Sequence, residues 1–336
     1  MRSRDLRLLP KAELHLHLLG ALRATTLAEL AASEGIPVRD PRLFADFDEF
    51  QQCFQDAFRL TAARPENLRR LVREVIADAA ADGVVWVQPH FDPYFYTPLG
   101  SPDEVMELVL DEADSASREY GVGFGLTMAA SRHTEAEVAE ERARFAARYA
   151  GRGVHALGLT GNDTVAPAAV FANAFKIARD GGLTAAPHAG ELAGADSVRA
   201  VVEELGATRV AHGIRAAEDP AVLAFLVERD VTLDVCLTSN VLLGVTASIE
   251  SHPLPALLAA GVRCSLGADD PLMFDKGLYD EYSLARDGLG LSDEQLAAIA
   301  RTSLETSDAP ADLVASGLAG VDAWLRADDE PAQERG

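Results

Sequence analysis

Four short segments of this chain carry histidines and carboxylates in spacings that suit metal-assisted hydrolysis. They are His15-Leu16-His17, His188-Ala189-Gly190-Glu191, Ala211-His212-Gly213 and Gly267-Ala268-Asp269-Asp270-Pro271, and they hold four of the eight histidines. His15 and His17 end an apolar run that reads as a strand. Side chains on a strand alternate with period two, so both imidazoles face the same way. Burying two unpartnered imidazoles is costly, which points to a shared metal ion. His188 ends a second such run and Asp269 follows a third. Three ring nitrogens and one carboxylate suit zinc, with iron or manganese as the other ions such a set accepts. Glu191, His212 and Asp270 stand beside this set without being needed as ligands. A closed structural zinc has no use for them, whereas a catalytic ion keeps an open position for water and gathers acid–base groups around it.

Groups this far apart in sequence need a scaffold that brings strand ends together. Eight strand-like runs alternate with helical patterns, at 13–18, 83–91, 122–129, 154–159, 183–188, 209–212, 231–237 and 262–266. Several are almost continuously apolar, as in Val84-Val85-Trp86-Val87, which fits strands covered on both faces. Helical patterns at 67–81 and 102–120 fall between them. Such alternation implies parallel crossovers, and eight units imply a (β/α)8 TIM barrel, whose chemistry sits at the strands' C-terminal ends. The segment 25–62 exceeds a minimal barrel and predicts extra helices between the first two strands. There Phe50, Phe54 and Phe58 form one stripe, which packs on the core or forms the inner face of a lid. Residues 326–336 are polar and read as a frayed tail. Residues 1–336 carry no repeat or linker and read as one domain.

Composition narrows the partners. The net charge is −23 over 336 residues, which opposes binding to nucleic acid or an anionic membrane. The charged start lacks the apolar core of a signal peptide, and no run is long enough to span a bilayer. Cys53, Cys236 and Cys264 form no disulfide framework and read as buried residues of a cytoplasmic protein. Oligomeric state is not legible.

Five motifs in order resemble the adenosine/adenine deaminase family: residues 10–17 (Pro-Lys-Ala-Glu-Leu-His-Leu-His), 188–191, 209–213, 236–240 (Cys-Leu-Thr-Ser-Asn) and 269–271, with Gly161 and the His252-Pro253 pair in place. The resemblance implies one zinc ion per chain, held by His15, His17, His188 and Asp269. The ion would activate a water for attack on the carbon bearing the exocyclic amine of a 6-aminopurine. His212 would orient and deprotonate that water. Glu191, protonated, would donate to ring N1, Asp270 would bond N7, and the Gly161 N–H would reach N3. Binuclear barrel hydrolases typically use a modified Lys on strand four, and residues 154–161 contain none. Cytidine-type deaminases need Cys-x-x-Cys, which the chain lacks. A pseudoenzyme would have lost Glu191 or His212. A metal-dependent amidase using the same ligands would not need Asp270 or a donor to N1.

The sequence departs from the family where the sugar is read. After His-x-His the family carries Asp-Gly or Glu-Gly, whereas this chain has Leu18-Leu19-Gly20. Leu19 cannot accept a hydrogen bond from a ribose 5′-hydroxyl, and a buried hydroxyl left unpaired costs about 1–3 kcal/mol. The expected substrate is therefore a small-molecule aminopurine nucleoside modified at its 5′ end. Aminodeoxyfutalosine, the benzoate-bearing nucleoside of menaquinone synthesis, is the leading example, with Arg23, His90 and Arg132 as candidate carboxylate partners. Adenosine is the second reading and adenine the third.

Overall fold

The computed structural model describes residues 4–44 and 47–327, without the side chains of Phe47, Asp48 and Gln51. Among the described residues, eleven short strands form eight staves. β1 (Lys11–Glu13) is the first stave, and β2 (Val84–Val87) with β3 (His90–Phe91) make the second. β4 (Gly123–Phe124) and β5 (Leu126–Ser131) make the third, and β6 (Val154–Thr160) the fourth. β7 (Thr184–Ala185) and β8 (His188–Ala189) make the fifth. β9 (Arg209–His212), β10 (Thr232–Val235) and β11 (Arg263–Leu266) complete the set. All pairings are parallel and each stave pairs with its sequence neighbours. A bridge between Leu16 and Asp269 closes the ring, so the protein is a TIM barrel.

Three predicted strands are split, for local reasons. Pro89 and Pro187 lack the N–H a ladder needs and separate β2 from β3 and β7 from β8. Gly125 separates β4 from β5, and a Cβ there would lie 2.6 Å from both Trp86 and His155. The first stave also starts earlier than expected, at Lys11 rather than residue 13. Beyond Glu13 it continues only as single bridges, Leu16 to Asp269 and His17 to His90. Pro89 on one side and Asp269, at φ +59°, on the other interrupt regular pairing there.

The helices wrap the barrel outside. Pro102–Tyr120 matches its predicted span: Ser101 and Glu104 form a capping box at one end and left-handed Gly121 closes the other. Helices Ala24–Glu34 and Phe47–Thr61 occupy the segment between the first two staves, ahead of the crossover helix Pro65–Ala81. At the C-terminus, helix Ala311–Arg326 takes in Arg326, the first residue of the predicted tail. Residues 328–336 of that tail lie outside the described residues. Among the described residues no helix is long and apolar enough to cross a membrane.

Candidate active site

The C-terminal ends of the staves open into a cleft of about 400 Å³. His17, Leu19, Gly161, His188, Glu191, His212, Asp269 and Asp270 all line it. His15 lies beneath, fully buried. The predicted site residues, scattered over more than 250 positions of sequence, thus meet in one place.

Each is placed by its strand end. His15 donates from Nδ1 to the carbonyl of Asp234 on β10 at 2.8 Å, leaving Nε2 buried with no hydrogen-bond partner. A histidine with one nitrogen tied to a carbonyl and the other bare is arranged as metal ligands are. Its Nε2 lies 3.5 Å from Asp269 Oδ1, and the His17 Nε2 lies 3.3 Å from the same oxygen. His188 Nε2 approaches His17 Nε2 to 3.3 Å. Donor atoms of His15, His188, His212 and Asp269 all fall within 4.8 Å of one another, and those of His17, Asp269 and Asp270 do likewise. The donor set and the bare Nε2 therefore fit a divalent cation. His212 joins the cluster expected of His15, His17, His188 and Asp269, so distance alone does not separate the four expected ligands from it.

Two of these residues sit in strained backbone. His212 has φ +62° and Asp269 φ +59°, a region that non-glycine residues seldom adopt and that concentrates at functional sites. Gly20 makes room for a third: a Cβ there would lie 1.8 Å from Asp270 Oδ1.

The electrostatics sort the carboxyls. Burial, then the charges of Asp269 and Asp163, pushes Glu191 well above the usual carboxylate range. Burial and the adjacent Asp269 do the same to Asp270. Burial would also raise Asp269, but the surrounding imidazoles outweigh it and hold it well below its ordinary value. Burial lowers His15 and His188 and takes His212 down to about 3, so these rings stay neutral.

Several supporting residues escape a reading of the sequence alone. Asp163 accepts backbone N–H bonds from Glu191, Leu192 and Ala193, at 3.2, 3.0 and 2.8 Å, and so fixes the loop that carries Glu191. Arg209 and Asp234 form a buried ion pair at 3.0 Å beneath His15. Two expected carboxylate partners are committed elsewhere. Arg23 pairs with Asp78 on the outer helices. Arg132 is buried and donates to the carbonyl of Ala166 in the loop after β6, at 2.7 Å, and to that of His188 at the strand end, at 2.8 Å. His90 does line the cleft, with its ring 5.1 Å from that of His17.

A match to the family described as adenosine deaminase runs over residues 10–324. The chain belongs to this family. As a member it is a deaminase, an enzyme of the hydrolase class. A Streptomyces virginiae protein provisionally named adenosine/adenine deaminase is 44% identical, over 96% of this chain and 98% of its own. An Acidothermus cellulolyticus protein named aminodeoxyfutalosine deaminase is 35% identical, over 82% of each. The solved adenine deaminase of Arthrobacter aurescens superposes with a TM-score of 0.86 at 27% identity, covering 97% of this chain and all of the other. These names differ in the substrate they give, and all of them are names of deaminases.

The opposite wall of the cleft is apolar. Phe50, Phe54 and Phe58 of helix Phe47–Thr61 line it together with Leu19, Phe95 and Tyr96. Phe58 meets Tyr96 edge-on at 5.4 Å, and Phe50 stacks on Phe274 at 5.7 Å. The stripe predicted from sequence packs on the core through Phe50 and lines the cleft. No Lys or Arg lines the cleft among the described residues.

Proposed function

We propose that the protein catalyses zinc-dependent hydrolytic deamination of a 6-aminopurine nucleoside whose 5′ end carries a bulky substituent. The observation that supports this best is the buried Glu191 carboxyl, which lines the cleft 3.5 Å from His212 Nε2 and whose pKa burial pushes well above the usual carboxylate range. A metal-dependent amidase using the same ligands would not need a proton donor placed for ring N1, nor Asp270.

In this reading His15, His17, His188 and Asp269 hold one zinc ion, which when bound lowers the pKa of a water to near neutrality. His212 orients the attacking water. Glu191 donates its proton to ring N1, which makes the neighbouring carbon electrophilic, and ammonia then leaves. N7 of a purine is an acceptor, so a partner there must carry a proton, and the raised pKa of Asp270 supplies one. The Gly161 N–H is assigned to N3.

Leu19 and the phenylalanines support an apolar 5′ substituent, since a free 5′-hydroxyl placed among them would lose a hydrogen bond. Aminodeoxyfutalosine brings an aromatic ring to this wall, and with Arg23 and Arg132 committed elsewhere its carboxylate would point to the open mouth. Adenosine is the second reading, favoured by Gln55 and Ser131, which put polar groups on the same cleft. Ammonia release from the zinc-loaded protein on adenosine, adenine and aminodeoxyfutalosine tests the proposal. The 5′-modified compound should have the highest kcat/KM. Equal or better turnover of adenosine would overturn the 5′ assignment and leave the chemistry standing.

A further inference from the structure

We infer that Asn240 and His252 dictate which ring nitrogen of His212 carries the proton, and thereby make His212 a hydrogen-bond donor rather than a base or a metal ligand. The inference rests on the deaminase reading for its catalytic consequence, but the wiring itself is a property of the folded chain.

The backbone fixes the role of His252. The backbone N–H of Leu254 donates to His252 Nδ1 at 3.1 Å, so that nitrogen presents a lone pair. His252 is buried and neutral, and its proton therefore sits on Nε2. Nε2 lies 3.2 Å from Asn240 Oδ1. Turning the Asn240 amide over would set its NH2 against the His252 N–H, two donors face to face, so the oxygen must point this way. The NH2 group then points at His212 Nδ1, 3.2 Å away, and donates to it. With Nδ1 accepting, the one proton of neutral His212 is on Nε2. That N–H is aimed into the site, 3.5 Å from Glu191 Oε1 and 3.9 Å from Asp269 Oδ2.

His15 is wired the opposite way. Its Nδ1 carries the proton, given to the Asp234 carbonyl, and its bare Nε2 faces the cluster. The two rings are only 4.5 Å apart between centroids. One therefore offers the centre a lone pair and the other a proton. This resolves what distance left open. His212 Nε2 falls within the ligand cluster but has no lone pair to give, so the third ring nitrogen falls to His17. It also corrects the role expected of His212, because a nitrogen already carrying a proton cannot take one from water. His212 holds the water or the developing oxyanion by donation, and the water's proton goes to a carboxylate. Asn240 and His252 touch no substrate and act as positioning residues.

The test is tautomer detection by long-range 1H–15N correlation in zinc-loaded protein with 15N-labelled histidine at neutral pH. The His212 signals are assigned by their loss in His212→Gln. The expected result is a protonated Nε2 in His212 and a protonated Nδ1 in His15. A protonated Nδ1 in His212 would overturn the inference. Asn240→Asp replaces the donor facing His212 with a carboxylate oxygen, which demands a proton on Nδ1. In that variant the tautomer should invert, with kcat lower by about 100-fold or more and KM little changed. Unaltered kcat alongside an inverted tautomer would refute the donor role. Because the spectrum needs no substrate, a deaminase reading that failed would leave it untouched.

Discussion

The two walls of the cleft are built on opposite principles. On the stave side His15, Glu191, His212, Asp269 and Asp270 are all at least 96% buried, and both imidazoles are oriented through Nδ1, by Asp234 and by Asn240. Each strand end is held by a further layer: Asp163 under Glu191, Arg132 on the His188 carbonyl, Asp234 under His15. On the helix side Phe54, Phe58 and Leu19 are only half-buried, and they meet the cleft through ring faces and methyl groups without polar partners. Rigid polar geometry is what a reaction at fixed atoms needs. An apolar surface sorts ligands by shape and hydration, weakly per contact. The stave wall should therefore govern rate, and the helix wall should govern which aminopurine is used.

The largest effects should come from the stave wall. Removing the metal with a chelator should abolish ammonia release, and adding zinc back should restore it. The bound ion should also raise Tm, because it binds only the folded cluster. Full activity in metal-free protein would break the comparison at its base. Next, Glu191→Gln should lower kcat by about 100-fold or more, in line with loss of a general acid, while circular dichroism stays unchanged. A loss below about tenfold would mean that the proton reaches N1 from elsewhere. On the helix wall, Leu19→Asp should shift selectivity toward adenosine without altering the chemistry. One hydrogen bond to a charged group is worth about 1.5–3 kcal/mol, so adenosine should gain at least about tenfold in kcat/KM relative to the 5′-modified compound. No shift would show that the sugar end lies elsewhere in the cleft.

The two walls also differ in how far they can be read from sequence. His15 and His17 announce themselves because a period-two pair on an apolar strand has few uses, and Asp269-Asp270 because it follows the last strand. The order of eight apolar runs is enough to give the barrel. What the sequence hides is whatever depends on contacts across staves. Pro89 and Pro187 are visible, but that they split strands rather than end them follows only from the ladder. Arg132 and Arg23 read as candidate carboxylate partners, and only the fold reveals that a carbonyl pair and Asp78 consume them. The Asn240–His252 relay is visible as two motifs, yet the proton wiring depends on a backbone N–H at Leu254. On the helix wall the Phe50–Phe58 stripe is legible as amphipathic, but a stripe does not say whether it faces core or ligand, and here it faces both.

The smallest effect belongs to the layer that supports the relay, and it is one of stability. Glu281 is 1% exposed and accepts the N–H groups of Leu237 and Thr238, at 2.6 and 3.3 Å, at the start of the helix Leu237–Leu242 that carries Asn240. Burial raises its pKa from 4.5 to about 7 against the opposing pull of those bonds. The folded state therefore keeps this proton up to about pH 7, whereas the unfolded chain releases it near 4.5. The unfolded state binds fewer protons in that window, so this stabilisation is complete below pH 4.5 and is lost as pH rises toward 7. Glu13, Glu191 and Asp270, also raised, contribute with the same sign, whereas His15, His90, His188, His212 and His252, lowered from 6.5 by burial, oppose them, and Asp269, lowered from 3.8, acts only at more acid pH. In metal-free protein, Glu281→Gln should make the slope of unfolding free energy against pH between 5 and 7 more positive by at most about 1.4 kcal/mol per pH unit, the limit for one proton. Urea denaturation at the two pH values measures it. An unchanged slope would mean that Glu281 is already ionised in the fold and holds its two N–H partners as a carboxylate.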